Sequence, residues 1–135
     1  MILIIVHASA AEVTVVPSNQ RVAQGESFNL NIIIDPLGTP IAGAQLNLGF
    51  NKSLIHVNSI TEGNLFKQNG ADTFFNAGII NNDSGTVVNI FDAVIGSKNV
   101  SAAGTFIIIN ATASSTSGIS GVDLSHVKIS DPAGF

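Results

Sequence analysis

Residues 28–50 read FNLNIIIDPLGTPIAGAQLNLGF, and this stretch decides the fold class. Phe28, Leu30, Ile32 and Ile34 alternate with Asn29, Asn31, Ile33 and Asp35. Beyond a Pro36-Leu37-Gly38 turn, Leu46, Leu48 and Phe50 alternate with Gln45, Asn47, Gly49 and Asn51. Successive side chains of a strand point to opposite faces, so this period of two gives each run one apolar face and one mostly polar face. A helix would need a stripe of apolar residues three and four apart, and the chain sustains none.

The same period extends outward in both directions. Val13–Val16, Ile55–Ile60, Phe74–Ile80, Val87–Ile95, Phe106–Ala113 and Val122–Ile129 are rich in β-branched residues, which suit a pleated, half-buried surface. Gln24-Gly25-Glu26, Asn51-Lys52-Ser53, Asn82-Asp83-Ser84-Gly85 and the Ser, Thr and Gly of residues 114–121 supply turn chemistry between them. Only Gly63–Asn69 comes near a helical turn. Short strands of this kind predict an all-β fold, two antiparallel sheets packed as a sandwich. Two places strain the pattern. Ile107-Ile108-Ile109 is apolar on both faces, as in a central strand whose outer face is covered. Asp92 interrupts Val88, Ile90 and Val94. Because a bare buried carboxylate is costly, a β-bulge near Asp92 is expected, or the end of the strand there.

At 135 residues the chain has the length of one domain. It is 45% apolar and only 10% charged, which excludes a disordered tail. A net charge of −4 without any basic run excludes nucleic-acid binding by phosphate neutralisation. Without cysteine there is no disulfide framework, thiolate zinc site or Cys nucleophile. The absence of Trp and Tyr handicaps a sugar cleft. At the N-terminus, MILIIVHASA sets a short apolar run, Ile2–Val6, before Ala8-Ser9-Ala10, a small-x-small cleavage pattern. Residues 1–10 therefore read as a signal-peptide remnant or as an extra strand, and residues 11–135 as the sandwich domain. The sequons at Asn51, Asn82, Asn99 and Asn110 lean towards export and an extracellular or cell-surface location.

The order of these features resembles the cohesin family, the β-sandwich modules of scaffold proteins that bind dockerin modules. VTVVPSNQRVAQGESFNLNIII (residues 13–34) resembles the opening hairpin. PIAGAQLNLGFNKSLIHVNSI (residues 40–60) carries the most specific likeness, with Phe50-Asn51 where the family usually has an aromatic followed by Asp. NAGIINNDSGTVVNIFDAVI, AAGTFIIINATA and VDLSHVKISDPAG complete it over most of residues 11–135. The resemblance implies a jelly-roll-like sandwich. Its usual final strand, which closes the fold beside the first, is apparently lacking at Asp131-Pro132-Ala133-Gly134-Phe135. Val13–Val16 would then lie at an open edge. Truncation, donation of a strand by another molecule (strand exchange or dimerisation) and replacement by the N-terminal run are the three ways to account for it.

The resemblance also implies a binding face. It lies on the sheet holding the strands near 43–51, 73–80, 86–95 and 121–130. By alternation, Gly43, Gln45, Asn47 and Gly49 point outward, and so do Asn89 and Phe91 if Val88 and Ile90 point inward. Asn76 and Ile80 extend the patch. The candidate partner-binding residues are therefore Gln45, Asn47, Asn76, Ile80, Asn89 and Phe91. The chain departs from dockerin-binding relatives where Gly43, Gln45 and Val94 stand in place of polar or acidic residues. The implied partner is a dockerin-type module that carries the calcium itself, so no cofactor or metal is expected in this chain. Asp35 and Asp83 read as turn residues.

No enzymatic constellation emerges. His7, His56 and His126 are isolated, His56 reading as an outward strand residue, and Glu12, Glu26 and Glu62 are scattered near strand ends. No nucleophile elbow or phosphate loop is present. The expected function is non-catalytic protein binding. A carbohydrate-binding module of the same superfamily, taking polysaccharide, and a structural surface or adhesion domain are the alternatives.

Overall fold

A computed structural model describes residues 5–8, 11–17, 21–114 and 121–133. The strands are β1 (Ile5–Ala8), β2 (Ala11–Val16), β3 (Ser27–Asp35), β4 (Gly43–Phe50), β5 (Ile55–Glu62), β6 (Asp72–Asn76), β7 (Ile79–Asn81), β8 (Thr86–Ile95), β9 (Gly104–Ala113) and β10 (Val122–Ser130). Among the described residues one 3₁₀ turn, Leu65–Lys67, falls inside the stretch expected to be nearest to helical. One sheet runs β1-β2-β3-β9-β5. The other runs β10-β4-β8-β6, with β7 also paired to β8. Every strand pairing among the described residues is antiparallel.

The alternation read from residues 28–50 sets the core. Phe28, Leu30, Ile32 and Ile34 from β3 face Ala44, Leu46 and Leu48 from β4, and all are buried. Phe50 is half-buried and packs on the core's rim. Phe66 and Phe106, both fully buried, meet edge to face with ring centroids 6.5 Å apart. β9 is an interior strand, as its triple isoleucine implied. Its pairing with β3 slips by one residue at Phe106, so the adjacent Phe106 and Ile107 both enter the core. Ile108 is half-buried on the outer face, beside Asn31 and Thr61.

At the edge of the first sheet, β1 pairs with β2, from Ile5 opposite Thr14 to Ala8 opposite Ala11. β1 takes in Ile5 and Val6 of the N-terminal run, while Ile2–Ile4 lie outside the described residues. At the other edge a side chain serves. Asn82 Oδ1 accepts the Val57 N–H (2.8 Å), and Asn82 Nδ2 donates to the Val57 carbonyl (3.0 Å). This mimics one strand pairing on β5 and ties the edge to the β7–β8 turn.

The expected single strand Phe74–Ile80 is broken in two. Asn76 Oδ1 accepts the Gly78 N–H (3.0 Å), and Gly78 has φ +78°. A Cβ at Gly78 would lie 2.5 Å from the Val88 carbonyl oxygen, so only glycine passes here.

Two substitutions test this packing. Phe106→Ala should destabilise the domain by about 3–5 kcal/mol, the range for emptying a buried aromatic site. Asn82→Ala should cost about 1–2 kcal/mol by leaving both polar groups of Val57 unpaired. Both are measurable by chemical denaturation.

Candidate functional site

The outer face of the second sheet departs from ordinary strand chemistry. Two rows of residues cross four of its five strands. One runs Asn76, Phe91, Gln45, Lys128, and the other Phe74, Ala93, Gly43, Ser130. Ile95, opposite Asp72, extends the second half of β8. Phe74 is 61% exposed and Ile95 56%, and Phe91 is half-buried. The Phe74 and Phe91 rings touch edge to face, with centroids 6.0 Å apart and planes at 62°. Beside them lies a groove of about 240 Å³ lined by Gly43, Phe91, Ala93, Ser130, Asp131 and Pro132. Apolar side chains outside and a carboxylate inside invert the usual pattern of a half-buried strand.

The inversion has a local cause. Leu46 pairs with Ile90 and Leu48 with Val87, so Asn47 stands opposite two residues, Val88 and Asn89. This is a β-bulge, with Asn89 at φ +63°. Asn47 holds it, its Oδ1 accepting the Asn89 backbone N–H at 2.8 Å. A second bulge interrupts β10 between Ser125 and Lys128, with His126 at φ +51°. There Asn47 Nδ2 lies 3.3 Å from His126 Nδ1. One amide therefore fastens bulges on both flanking strands. Beyond the β8 bulge, Ile90, Asp92 and Val94 face inward while Phe91, Ala93 and Ile95 face outward.

The expected outward residues fare unevenly. Gln45, Asn47 and Phe91 do lie on this face, half-buried, and Asn76 lies there exposed. Asn89 is exposed at the bulge, but Val88 does not turn into the core as expected; Val87 takes that place, fully buried. Ile80 packs inward against the core, and the exposed residue is its neighbour Ile79, at 65%. Val94 also packs inward, so the outward residues near the end of β8 are Ala93 and Ile95. The bulge expected near Asp92 sits at Val88–Asn89, and β8 runs on to Ile95. Phe74, Ala93, Ile95 and His126 were missed. The pair Phe74-Phe75 did hold a signal, since two adjacent strand residues cannot both face the core without a bulge. Among the turn residues, Asp35 Oδ1 accepts the Leu37 N–H (2.9 Å), whereas in the other turn Asn81 Oδ1, not Asp83, accepts. His56 is exposed on β5, as expected.

Asp92 is 1% exposed, between Ala44 on β4 and Phe75 on β6. Its Oδ1 is buried without a hydrogen-bond partner, and the nearest ionisable group acting on it is Glu62, which is bonded to Thr73 on the neighbouring strand β6. Glu62 in turn receives Thr73 Oγ1 (2.5 Å) and forms an ion pair with Lys67 (2.9 Å). Burial, then the bond to Glu62 and its charge, push the Asp92 pKa up to about 8. Burial also works to raise Glu62, but hydrogen bonds with Thr73, Lys67 and Asp92 prevail and hold it below the usual carboxylate range. Glu62 in turn holds Lys67 above its ordinary value.

These shifts set a pH dependence. Between about pH 4 and pH 8 the unfolded chain has lost the Asp92 proton and the folded chain keeps it, so folding stability falls as pH rises through that window. The Glu62 contribution has the opposite sense, present above its ordinary pKa and lost in acid. Melting temperature followed from pH 5 to pH 9 should therefore decline in the parent chain. In Asp92→Asn the decline should flatten, and that variant should be the more stable at pH 9.

A family model described as the cohesin domain matches residues 13–134. Among solved structures, the chain is similar to the type II cohesin A11 from Bacteroides cellulosolvens, with a TM-score of 0.70 at 13% identity over 91% of this chain and 87% of that one. It is similar also to a chain of a type I cohesin–dockerin complex from Clostridium thermocellum, with a TM-score of 0.69 at 12% identity over 94% of this chain and 90% of the other. A non-cellulosomal cohesin from Archaeoglobus fulgidus superposes with a TM-score of 0.57 at 17% identity, covering 82% and 72%. No curated protein matches the chain.

Proposed function

The chain belongs to the cohesin family, and from that premise we propose that it is a non-catalytic module that captures a dockerin-type partner on the outer face of the second sheet. The observation that carries this reading is the apolar strip of Phe74, Phe91, Ala93 and Ile95, held facing outward by a bulge while a carboxylate is buried beneath it. An exposed strip of this kind lowers free energy when another protein covers it, and aromatic anchors carry most of the affinity of such contacts. Gln45, Asn76 and Lys128 border the strip and offer the polar rim that excludes water around an apolar centre. Asn47 acts as the face's internal fastener, since both ends of its amide are engaged.

Solved relatives include cohesins in complex with dockerins, which supports a dockerin-type partner. With small or apolar residues at Gly43, Ala93 and Ile95, contact rests on apolar fit more than on charge. A polysaccharide suits this face poorly: two rings inclined at 62° cannot form the coplanar platform on which sugar rings stack. The sequons and the low charge fit a module displayed outside the cell.

Phe91→Ala and Phe74→Ala should each weaken capture of a calcium-loaded dockerin at least tenfold, about 1.4 kcal/mol or more, the loss expected of aromatic anchors. Phe74→Ala should leave the melting temperature nearly unchanged, because its ring is mostly in water. Titration calorimetry against a panel of dockerins, with and without chelator, decides the matter. Failure of every dockerin to bind would overturn the proposal.

A further inference from the structure

Asp92 poses a problem that partner binding alone does not explain. An exposed apolar strip needs Phe91, Ala93 and Ile95 outside, but it does not need an acid between Phe91 and Ala93. An Asn or Ala at position 92 would avoid the cost of burying a carboxyl group. The acid is also not isolated: its Oδ1 is buried without a partner, and a second carboxyl, Glu62 of the opposite sheet, is bonded to Thr73 on the strand that pairs with Asp92's own.

The groups around the pair are few. From β5 comes Glu62, and from the 3₁₀ turn comes Lys67, whose ammonium lies 2.9 Å from Glu62. β4 presents Ala44 and β6 presents Phe75 opposite Asp92, neither of them ionisable. Thr73 on β6 donates to Glu62, and the nearby acid Asp72 lies on the outer face opposite Ile95. Phe66 of the 3₁₀ turn and Phe106 of β9 are buried and apolar. One cation thus serves two carboxyls, and Glu62 already occupies it. The Glu62 side chain is 15% exposed, which gives protons a path from solvent to the pair.

We propose that the Glu62–Asp92 carboxyl pair is a proton-operated latch for the binding face: while the pair holds one proton, β8 is seated with Phe91, Ala93 and Ile95 outward, and when that proton leaves, the strand loosens and the partner is released. The latch rests on the reading of this face as the partner's site and names its regulation.

The mechanics follow from strand geometry. With both carboxyls ionised, two like charges share a water-poor site, and the strain is relieved by moving Asp92 towards solvent. On a strand that motion turns its neighbours the other way, so Phe91 and Ala93 leave the face. A partner that selects the seated strand binds more weakly in proportion to the seated fraction. Asp92, which keeps its proton to about pH 8, places the switch between neutral and mildly alkaline conditions.

The test uses the free chain first. Backbone amide exchange at Ile90–Val94, corrected for the intrinsic effect of pH, should lose protection at least tenfold between pH 6 and pH 9.5. In Asp92→Asn, which keeps the shape and neutrality of the protonated acid, protection should stay level. In Glu62→Gln, which removes the neighbouring charge, the midpoint should move to lower pH. Affinity for a calcium-loaded dockerin captured at pH 6 should fall about tenfold over the same range in the parent chain and not in Asp92→Asn. Level protection in the parent chain, or an undiminished decline in Asp92→Asn, would overturn the latch. Falling protection with constant affinity would overturn its link to the face. If protection falls but no dockerin binds at either pH, the latch is supported as a property of β8 and the partner reading fails.

Discussion

The structure turns on one hydrogen bond, from the Asn89 backbone N–H to the Asn47 side-chain oxygen. A strand of regular period must choose which alternate set it buries, and β8 has apolar residues in both sets. The bulge lets Val87 and Ile90 enter the core from opposite phases of the alternation. Everything after it follows by period two, so Asp92 and Val94 go in while Phe91, Ala93 and Ile95 go out. The amide of Asn47 takes up the N–H that the bulge would otherwise leave unpaired, and its other end reaches the bulge on β10. The shape of the face is thus set from its own middle strand.

Asp92 shows why the arrangement has a cost. Its burial raises its pKa, and a carboxyl from the other sheet, Glu62, raises it further. Apolar surface in water and an acid in the core both work against stability in the isolated chain, and proteins tolerate such features where function requires them. A partner that covers Phe74, Phe91 and Ile95 would recover the first of these costs. The carboxyl pair beneath then becomes a means of control, because its charge state bears on the strand that carries the contact.

Much of the fold was legible in the chain because its signals are local. Residues 28–50 showed which side chains enter the core, the triple isoleucine marked β9 as interior, and the small and turn-forming residues marked the ends of strands. The face itself was legible on β4, where Gln45 and Asn47 alternate cleanly with buried leucines. It was misjudged on β8 and on the segment after Asn76. Val88 was expected inward and Ile80 outward, and both are reversed. The errors share a cause: each lies past a break in period that depends on a partner residue distant in sequence. Asn47 is 42 residues from the bulge it holds, and the turn at Gly78 packs against the backbone of that same bulge.

By itself the sequence determined the class of the protein: alternating apolar residues, β-branched strands and turn chemistry admit a two-layer sandwich, and the order of motifs places it among the cohesins. Those are properties of each segment's own periodicity, which the chain carries whatever its neighbours do. The tertiary structure alone decided which face of β8 meets water, that β1 covers the edge of β2, and that Glu62 bears on the buried Asp92, 30 residues away in the chain. Each of these is set by pairing between distant strands. A single extra residue in a ladder reverses every side chain beyond it, and no local pattern records where that residue will fall.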